Sequence, residues 1–453
     1  MGARPERGRS AVAVVGGGPA GLGAAYGLVQ RGIRPVLLEA GESVGGLARS
    51  IELWDEAVDL GAHLLQRNDR RIVELWDAAV GDAYDAVPRR TAVLAGAKRY
   101  AYPYEPGDVA RALGPWLTAR CVASFAAARF DRQADDGNLE SWVVRRFGRR
   151  LFELFVRDYV QKLTGLPARE LDSALATTLV GFRRHPSLVH AARRGLGRAS
   201  DGAAVPLIVR PHGGVGALMD SVARLVRQRG GVISCGAAVR RLGSSARGVE
   251  IETTQRAERF AAAIVTLPLP VVALRLATPP PHTEPVLRAM QARNLVLAYL
   301  LVGGPRPFAE QWVYLHSPEL RFGRVANFGN WAPGPARRDG TAVLAAEAWC
   351  DETSALWTSP DQDVAALAAQ ELASAGLLEP SRVLDSHVER VPNAFPVLRR
   401  GDTAVLQAAA RHIEALPKVT LTSRPQAAVN VGVHGSLLLG IEAAERIAID
   451  LGR

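Results

Sequence analysis

Apolar positions along the chain cluster in short runs separated by glycines. The β-branched run AVAVV (11–15) leads into Gly16-Gly17-Gly18-Pro19-Ala20-Gly21, then the Ala/Leu-rich LGAAYGLVQRG, then PVLLEAG with Glu39. This reads as strand, glycine turn, helix and a second strand ending in an acid. Similar runs return later. LIVRP (207–211) reads as a strand, and a glycine turn at 213–216 opens the amphipathic DSVARLVRQRGG. The runs VISCG (232–236), VEIET (249–253) and FAAAIVTLPLP (260–270) read as further strands. Near the end KVTLTSR (418–424) reads as a strand and IEAAERIAIDLGR as a helix. The pattern predicts an α/β fold whose nucleotide-binding domain is discontinuous: 9–79, 206–279 and 401–453. The intervening segments, a helical 80–205 and a mixed 280–400, are assigned to a second, substrate domain.

The first turn has a physical logic. Gly16 permits the tight turn, Gly18 lets backbone approach a pyrophosphate, and Gly21 lets helix and strand pack closely. The helix N-terminus at Pro19-Ala20 faces the phosphates, and Glu39, eighteen residues after Gly21, accepts hydrogen bonds from a ribose. The glycines at 213–216 are not read as a second nucleotide loop, because no acid-terminated unit follows at the required spacing.

Composition narrows the class. At 453 residues, with 48% apolar residues, 44 Gly and 28 Pro, the chain is a two-domain, loop-rich α/β enzyme. Its net charge is +10, but only Lys98, Lys162 and Lys418 are lysines, leaving 52 of the 55 basic residues as Arg. The arginines come in scattered pairs without aromatic interleaving, which argues against nucleic acid and favours a solvated basic surface over steering of an anionic substrate or weak membrane-surface contact. Three separated cysteines (Cys121, Cys235, Cys350) form no metal or disulfide pattern. They suit a reducing, cytoplasmic setting. The longest apolar candidate, 261–276, is interrupted by Pro268 and Pro270, so no integral membrane segment is expected.

Six residues past Glu39 stands Gly45-Gly46, after Ala40 and before Leu47-Ala48-Arg49. This second glycine pair resembles the signature of the amine oxidase/protoporphyrinogen oxidase superfamily. The resemblance implies FAD in a Rossmann-like domain of the glutathione-reductase type, with Arg49 offering the charge near the phosphates. It also implies Val239 near the adenine and Thr266 of Thr266-Leu267-Pro268 beside the dinucleotide fold. Arg424 and Gly440 are sixteen residues apart, as in that superfamily. The backbone N–H groups of Gly435, Ser436 and Leu437, beside His434, are then expected at the flavin's pyrimidine end. Asn430 and His434 depart from the usual residues.

Other segments resemble UDP-galactopyranose mutases. Gly61-Ala62-His63 matches the loop that sets a histidine against the flavin, where His63 would relay a proton. Tyr159, Lys162, Gly165 and Pro167 match a second element, with Thr164 replacing its Trp. Trp312, Tyr314, Pro318, Glu319, Phe322 and Arg324 match a third, implying that Arg324 and Tyr314 contact substrate. Gln66 and Leu179 depart from the mutase pattern, which counts against a UDP-sugar held in the usual way. No triad, metal cluster or carboxylate pair stands out, so the chemistry belongs to the flavin. The leading expectation is oxidation of a small molecule, anionic or sugar-containing, by hydride transfer to N5. Electrons would pass to dioxygen or an external acceptor. The alternatives are a redox-neutral sugar mutase using reduced N5 as nucleophile, and a flavin-binding partner without turnover.

Overall fold

A computed structural model describes residues 11–67, 69–130, 136–179, 207–331, 340–422 and 432–452. The chain divides into two compact units. One comprises Met1–Asp85, Val209–Met290 and Asp402–Arg453, the other Ala86–Ile208 and Gln291–Gly401. The expected boundary at 279 falls later, at Met290. The short helix Glu284–Ala289 packs on Leu269–Ala273 and Asp402–Glu414 of the first unit.

The first unit is built on a parallel five-stranded sheet. Its order is Val419–Leu421, Ala262–Val265, Val12–Val15, Pro35–Leu38, Val232–Ser234. The two strands beside and including the first run, Val12–Val15 and Ala262–Val265, are buried along their whole length, which is why both read as unbroken apolar runs. Helices Pro19–Val29, Arg70–Ala79, Gly214–Gln228 and Gly432–Asp450 contribute Leu22, Trp76, Leu218 and Leu437 to its core. Pro19–Val29 and Gly432–Asp450 cross at very close range. A Cβ on Gly23 would lie 2.2 Å from the Leu437 carbonyl oxygen, and one on Gly440 would lie 2.0 Å from that of Ala20. The resemblance that pairs Arg424 with Gly440 implies that Gly440 opens the last helix, and it does not. The helix starts at Gly432, and Gly440 is the contact point within it.

The second unit holds a seven-stranded mixed sheet. Its order is Val383–Pro396, Ala292–Val302, Ala342–Cys350, Arg324–Asn327, Trp312–Leu315, Thr91–Ala95, Lys98–Ala101. Thr91–Ala101 was expected to be helical but forms a hairpin through Gly96, whose φ is +58°. Alternation of side chains decides it: Ala92 and Leu94 face a core that also takes Val313, Val325, Leu344 and Ala346. Helix Asp361–Ser374 covers that face through Val364, Ala368 and Leu372. The opposite face carries Trp312, Tyr314, Arg324, Glu347 and Trp349, by the same alternation. The helical part of the 80–205 expectation holds for 106–164, where five helices follow one another.

Candidate functional site

In the first unit two glycine turns meet. Gly16 and Gly45 both take φ +105° and Gly46 takes +55°, conformations that disfavour a side chain. The Gly45 N–H donates to the Gly17 carbonyl at 2.8 Å, and a Cβ on Gly46 would lie 3.3 Å from Gly18 Cα. Beneath this junction the Pro19–Val29 helix begins with no side-chain cap and no acid in its first turn. Its N–H groups are left for an anion. A Cβ on Gly18 would meet nothing within 4 Å, whereas one on Gly21 would sit 1.8 Å from the Gly16 carbonyl oxygen. Gly21 is thus needed by the fold, and Gly18 leaves open space where a phosphate belongs.

Glu39 ends the Pro35–Leu38 strand and accepts from the N–H groups of Gly17 (2.6 Å) and Gly41 (2.7 Å). That fixes the carboxylate between the glycine turn and the following loop, where a ribose hydroxyl could reach it. The Thr266 hydroxyl donates to the Val15 carbonyl (2.8 Å) and ties the turn to the neighbouring strand. The Val239 carbonyl accepts from Arg275 Nε at 2.8 Å, so one of its two acceptor positions is already used. His63 Nε2 lies 3.0 Å from the Leu47 carbonyl oxygen, which joins the Gly61-Ala62-His63 loop to the second glycine turn. Ala40 directly follows Glu39, and Arg49 follows the Gly46–Ala48 turn.

The last helix needs one correction. With its start at Gly432, intrahelical bonding takes up the N–H groups of Gly435, Ser436 and Leu437. The donors open to a ligand fall earlier, at Val433 and His434. His434 donates to the Leu64 carbonyl, while its Nδ1 is buried without a partner. Burial holds its imidazole below the ordinary value, the Leu64 bond partly countering. An orphaned buried nitrogen beside uncapped glycine turns fits a polar ligand such as the expected dinucleotide. Arg424 and Asn430 lie outside the described residues.

The glycines at 213–216 are accounted for by protein alone. Asp59, buried, accepts from the Val215 N–H (2.8 Å) and from the Ser50 hydroxyl (2.6 Å), and the Ser50 oxygen accepts from Gly216 (2.9 Å). This helix N-terminus is filled by side chains, in agreement with its rejection as a nucleotide loop. Asp59 and Ser50 had no signature in the sequence, where they lie among other polar residues such as Arg49, Glu52, Asp55 and Glu56.

In the second unit, Tyr314 pairs with Arg324 and Arg324 with Glu347 across adjacent strands. Arg324 donates through Nε (2.8 Å) and Nη2 (2.5 Å) to Glu347, whose side chain is wholly buried. Burial pulls the guanidinium pKa down, but the Glu347 carboxylate outweighs it, so Arg324 stays charged and titrates above the usual arginine range. The pair is neutral as a whole. Glu347 takes two of the five N–H donors of Arg324, along its Nε/Nη2 edge.

Around Tyr314 stand more rings. Tyr102 lies 5.2 Å away and Tyr159 5.7 Å away, both edge-on, and Tyr104 meets Tyr102 at 5.5 Å. All four tyrosines are half-buried. Burial pushes the Tyr159 and Tyr104 phenols well above the usual value, with neighbouring tyrosines adding to it. Tyr159 stacks on His316 at 4.5 Å and 19°. Burial and the charge of Lys162 push His316 down to about 3, so its imidazole is neutral.

Lys162 anchors the connection between the Tyr314 and Arg324 strands. Its ammonium donates to the carbonyls of Leu315 (2.8 Å), Ser317 (2.8 Å) and Phe322 (3.2 Å). From the same loop, the N–H groups of Arg321 and Phe322 donate to Glu371 at 2.7 and 3.0 Å. The loop is thus held by a cation on its acceptors and an anion on its donors. Burial pushes Lys162 down to about 8 and raises Glu371.

Comparison with known proteins places this geometry. The family described as flavin containing amine oxidoreductase matches residues 19–448. No curated protein sequence matches the chain. Among solved structures, a reduced UDP-galactopyranose mutase aligns with a TM-score of 0.80 at 19% identity, covering 98% of this chain and 96% of that one. A protein from Exiguobacterium sp. 255-15, assigned as a protoporphyrinogen oxidase, aligns at 0.73 and 16% identity, covering 97% and 99%. Cyclohexylamine oxidase from Brevibacterium oxydans IH-35A aligns at 0.68 and 16% identity, covering 98% and 100%. On the family match, which spans nearly the whole chain, this protein belongs to the flavin-containing amine oxidoreductases.

Proposed function

We propose that the protein oxidises a small organic molecule whose body rests on the tyrosine-lined face of the second unit. The two glycine turns would hold FAD, which would supply a hydride acceptor at N5, the electrons leaving to dioxygen or an external acceptor. Gly16, Gly18, Gly21, Gly45 and Gly46 would admit its phosphates, and Glu39 its ribose. Val433 and His434 would face the ring with their backbone N–H groups, in place of the later residues first expected. His63, held by the Leu47 carbonyl, would carry the substrate proton released on oxidation. Tyr314 and Tyr159 would orient the substrate by ring contact.

One observation carries this reading over a sugar-nucleotide mutase. Arg324, the cation expected to grip a diphosphate, is already matched by Glu347 through two hydrogen bonds. A neutral, aromatic surface suits an uncharged or cationic organic body better than a diphosphate. Gly61-Ala62-His63 keeps the mutase as the second reading.

Anaerobic addition of substrate separates the two. Cyclohexylamine and UDP-galactopyranose, the molecules in the neighbours' names, serve as first probes of each class. Bleaching of the oxidised flavin by an amine, followed by recovery in air, supports oxidation. Conversion of UDP-galactopyranose only after dithionite reduction supports the mutase and overturns the oxidase. Ring-perturbing binding without either reaction supports a partner without turnover.

A further inference from the structure

The helix Pro115–Phe130 of the second unit presents an unusual solvent side. At 3.6 residues per turn, Trp116, Val122 and Phe130 share one face with Ala119, Ala123 and Ala126. All six are exposed, Trp116 at 76%, Val122 at 58% and Phe130 at 84%. No polar side chain interrupts that face. Arg120 and Arg129 stand at its two margins, by the same rotation. The helix buries its other side, with Cys121, against the neighbouring helices. An amphipathic helix of a soluble domain has the reverse arrangement, apolar inward and polar outward. Single exposed apolar residues need no explanation, but a whole outward face does.

Beside the Arg120 margin is a cavity of about 440 Å³, lined by Arg120, Arg149 and Arg150 with Ala123, Ser124 and Glu153. Arg149 pairs with Glu140 at 2.9 Å and Arg150 with Glu153 at 3.0 Å. Arg120 makes no ion pair among the described residues. The cavity therefore holds three guanidinium groups against one lining carboxylate, next to bulky apolar side chains about 21 Å apart along the helix axis.

We propose that this face docks the protein on the surface of an anionic lipid bilayer. Trp116, Val122 and Phe130 would enter the headgroup–acyl boundary. Arg120 would take a lipid phosphate at its edge, with the ion-paired Arg149 and Arg150 beside it. Among the described residues no helix is long and apolar enough to cross a membrane, so the attachment is to one surface. Charge decides between this occupant and a second copy of the chain. Two such faces brought together would juxtapose their arginine margins, whereas an anionic leaflet matches them. This docking does not depend on the reaction proposed above.

The test is flotation of the flavin-loaded full chain with two vesicle types. It is expected to float with phosphatidylcholine vesicles containing phosphatidylglycerol, to stay behind with phosphatidylcholine alone, and to be released by salt. Val122→Glu or Trp116→Ser is expected to lower flotation at least tenfold while leaving the flavin spectrum and melting temperature unchanged. Arg120→Glu is expected to lower it by roughly tenfold or more, at about 1 kcal/mol per charge near the surface. Equal binding to both vesicle types overturns the arginine role. Absence of flotation overturns the proposal, and a concentration-dependent dimer dissolved by Val122→Glu would assign the face to a second copy instead.

Discussion

Replacing Lys162 by Met tests how the tyrosine face is held. The substitution keeps the side chain's length and removes its three donors. The Ser317 carbonyl keeps a second donor, the Leu320 N–H at 3.2 Å, but those of Leu315 and Phe322 lose theirs. A buried carbonyl left without a partner costs about 1–3 kcal/mol. Removing the buried ammonium returns part of its desolvation cost, so the net loss is expected at about 2–4 kcal/mol. The pH dependence gives a sharper signature. Burial holds Lys162 at about 8 in the folded protein, below the ordinary lysine value of 10.5. Protonated Lys162 therefore carries a penalty in the folded protein below about pH 8, and the penalty is relieved as pH rises from 8 through 10.5. The stability advantage of the native protein over Lys162→Met should widen across that window, by at most about 3 kcal/mol. Urea unfolding followed by tyrosine and tryptophan fluorescence at pH 6 to 10.5 measures it. The differences between the two proteins cancel other groups that titrate there. A constant gap between pH 7 and 10.5, or Lys162→Met as stable as the native chain, would refute the clamp.

Four further outcomes are expected. Gly18→Ala should fold normally yet retain less flavin, because its Cβ meets no protein atom within 4 Å, whereas Gly21→Ala should fail to accumulate as folded protein. Flavin content and melting temperature on purified variants separate these two cases. Gly440→Ala should destabilise by roughly 3 kcal/mol or more through its clash with Ala20 and Ala24, read as a fall in urea midpoint. Arg324→Met should cost about 3–5 kcal/mol, because it removes the cation from the buried Glu347. The double variant Arg324→Met/Glu347→Leu should recover much of that loss. Glu39→Ala should weaken FAD binding about tenfold, measured by titrating apoprotein, since Gly17 and Gly41 lose their acceptor along with the ribose.

What was legible in the sequence was whatever a backbone demands of a residue type. Gly16, Gly21 and Gly45 stand out because their conformations or contacts exclude a side chain, and Glu39 because an acid ending an apolar strand has few other uses. Alternation should also have revealed the Thr91–Ala101 hairpin. It falls instead within an Arg/Ala-rich segment, 80–205, that reads as helical as a whole. The start of the last helix was misplaced for a related reason: a glycine's spacing locates it on a helix but cannot tell a cap from a helix crossing.

The charged groups of the second unit were hidden by their pairing, which joins positions far apart in the chain. Even so, each left a trace. Glu347 is the lone charge within AVLAAEAWC, nine residues of otherwise apolar strand. An acid in such a run must meet a cation, so its partner could have been sought and Arg324 found already engaged. Lys162 is one of three lysines against 52 arginines. In a chain that uses Arg almost everywhere, a buried Lys marks a place where the planar fork does not fit. The three carbonyls of Leu315, Ser317 and Phe322 converge on one nitrogen, which suits a compact ammonium with three donors. The same comparison separates structural from ligand-directed cations. Arg324 and Lys162 are spent on the protein itself, while Arg120 has no ion pair among the described residues and lines a cavity. Arg120 is thus one cation left over from the protein's own pairing, and it lies beside a helix whose outer face is apolar.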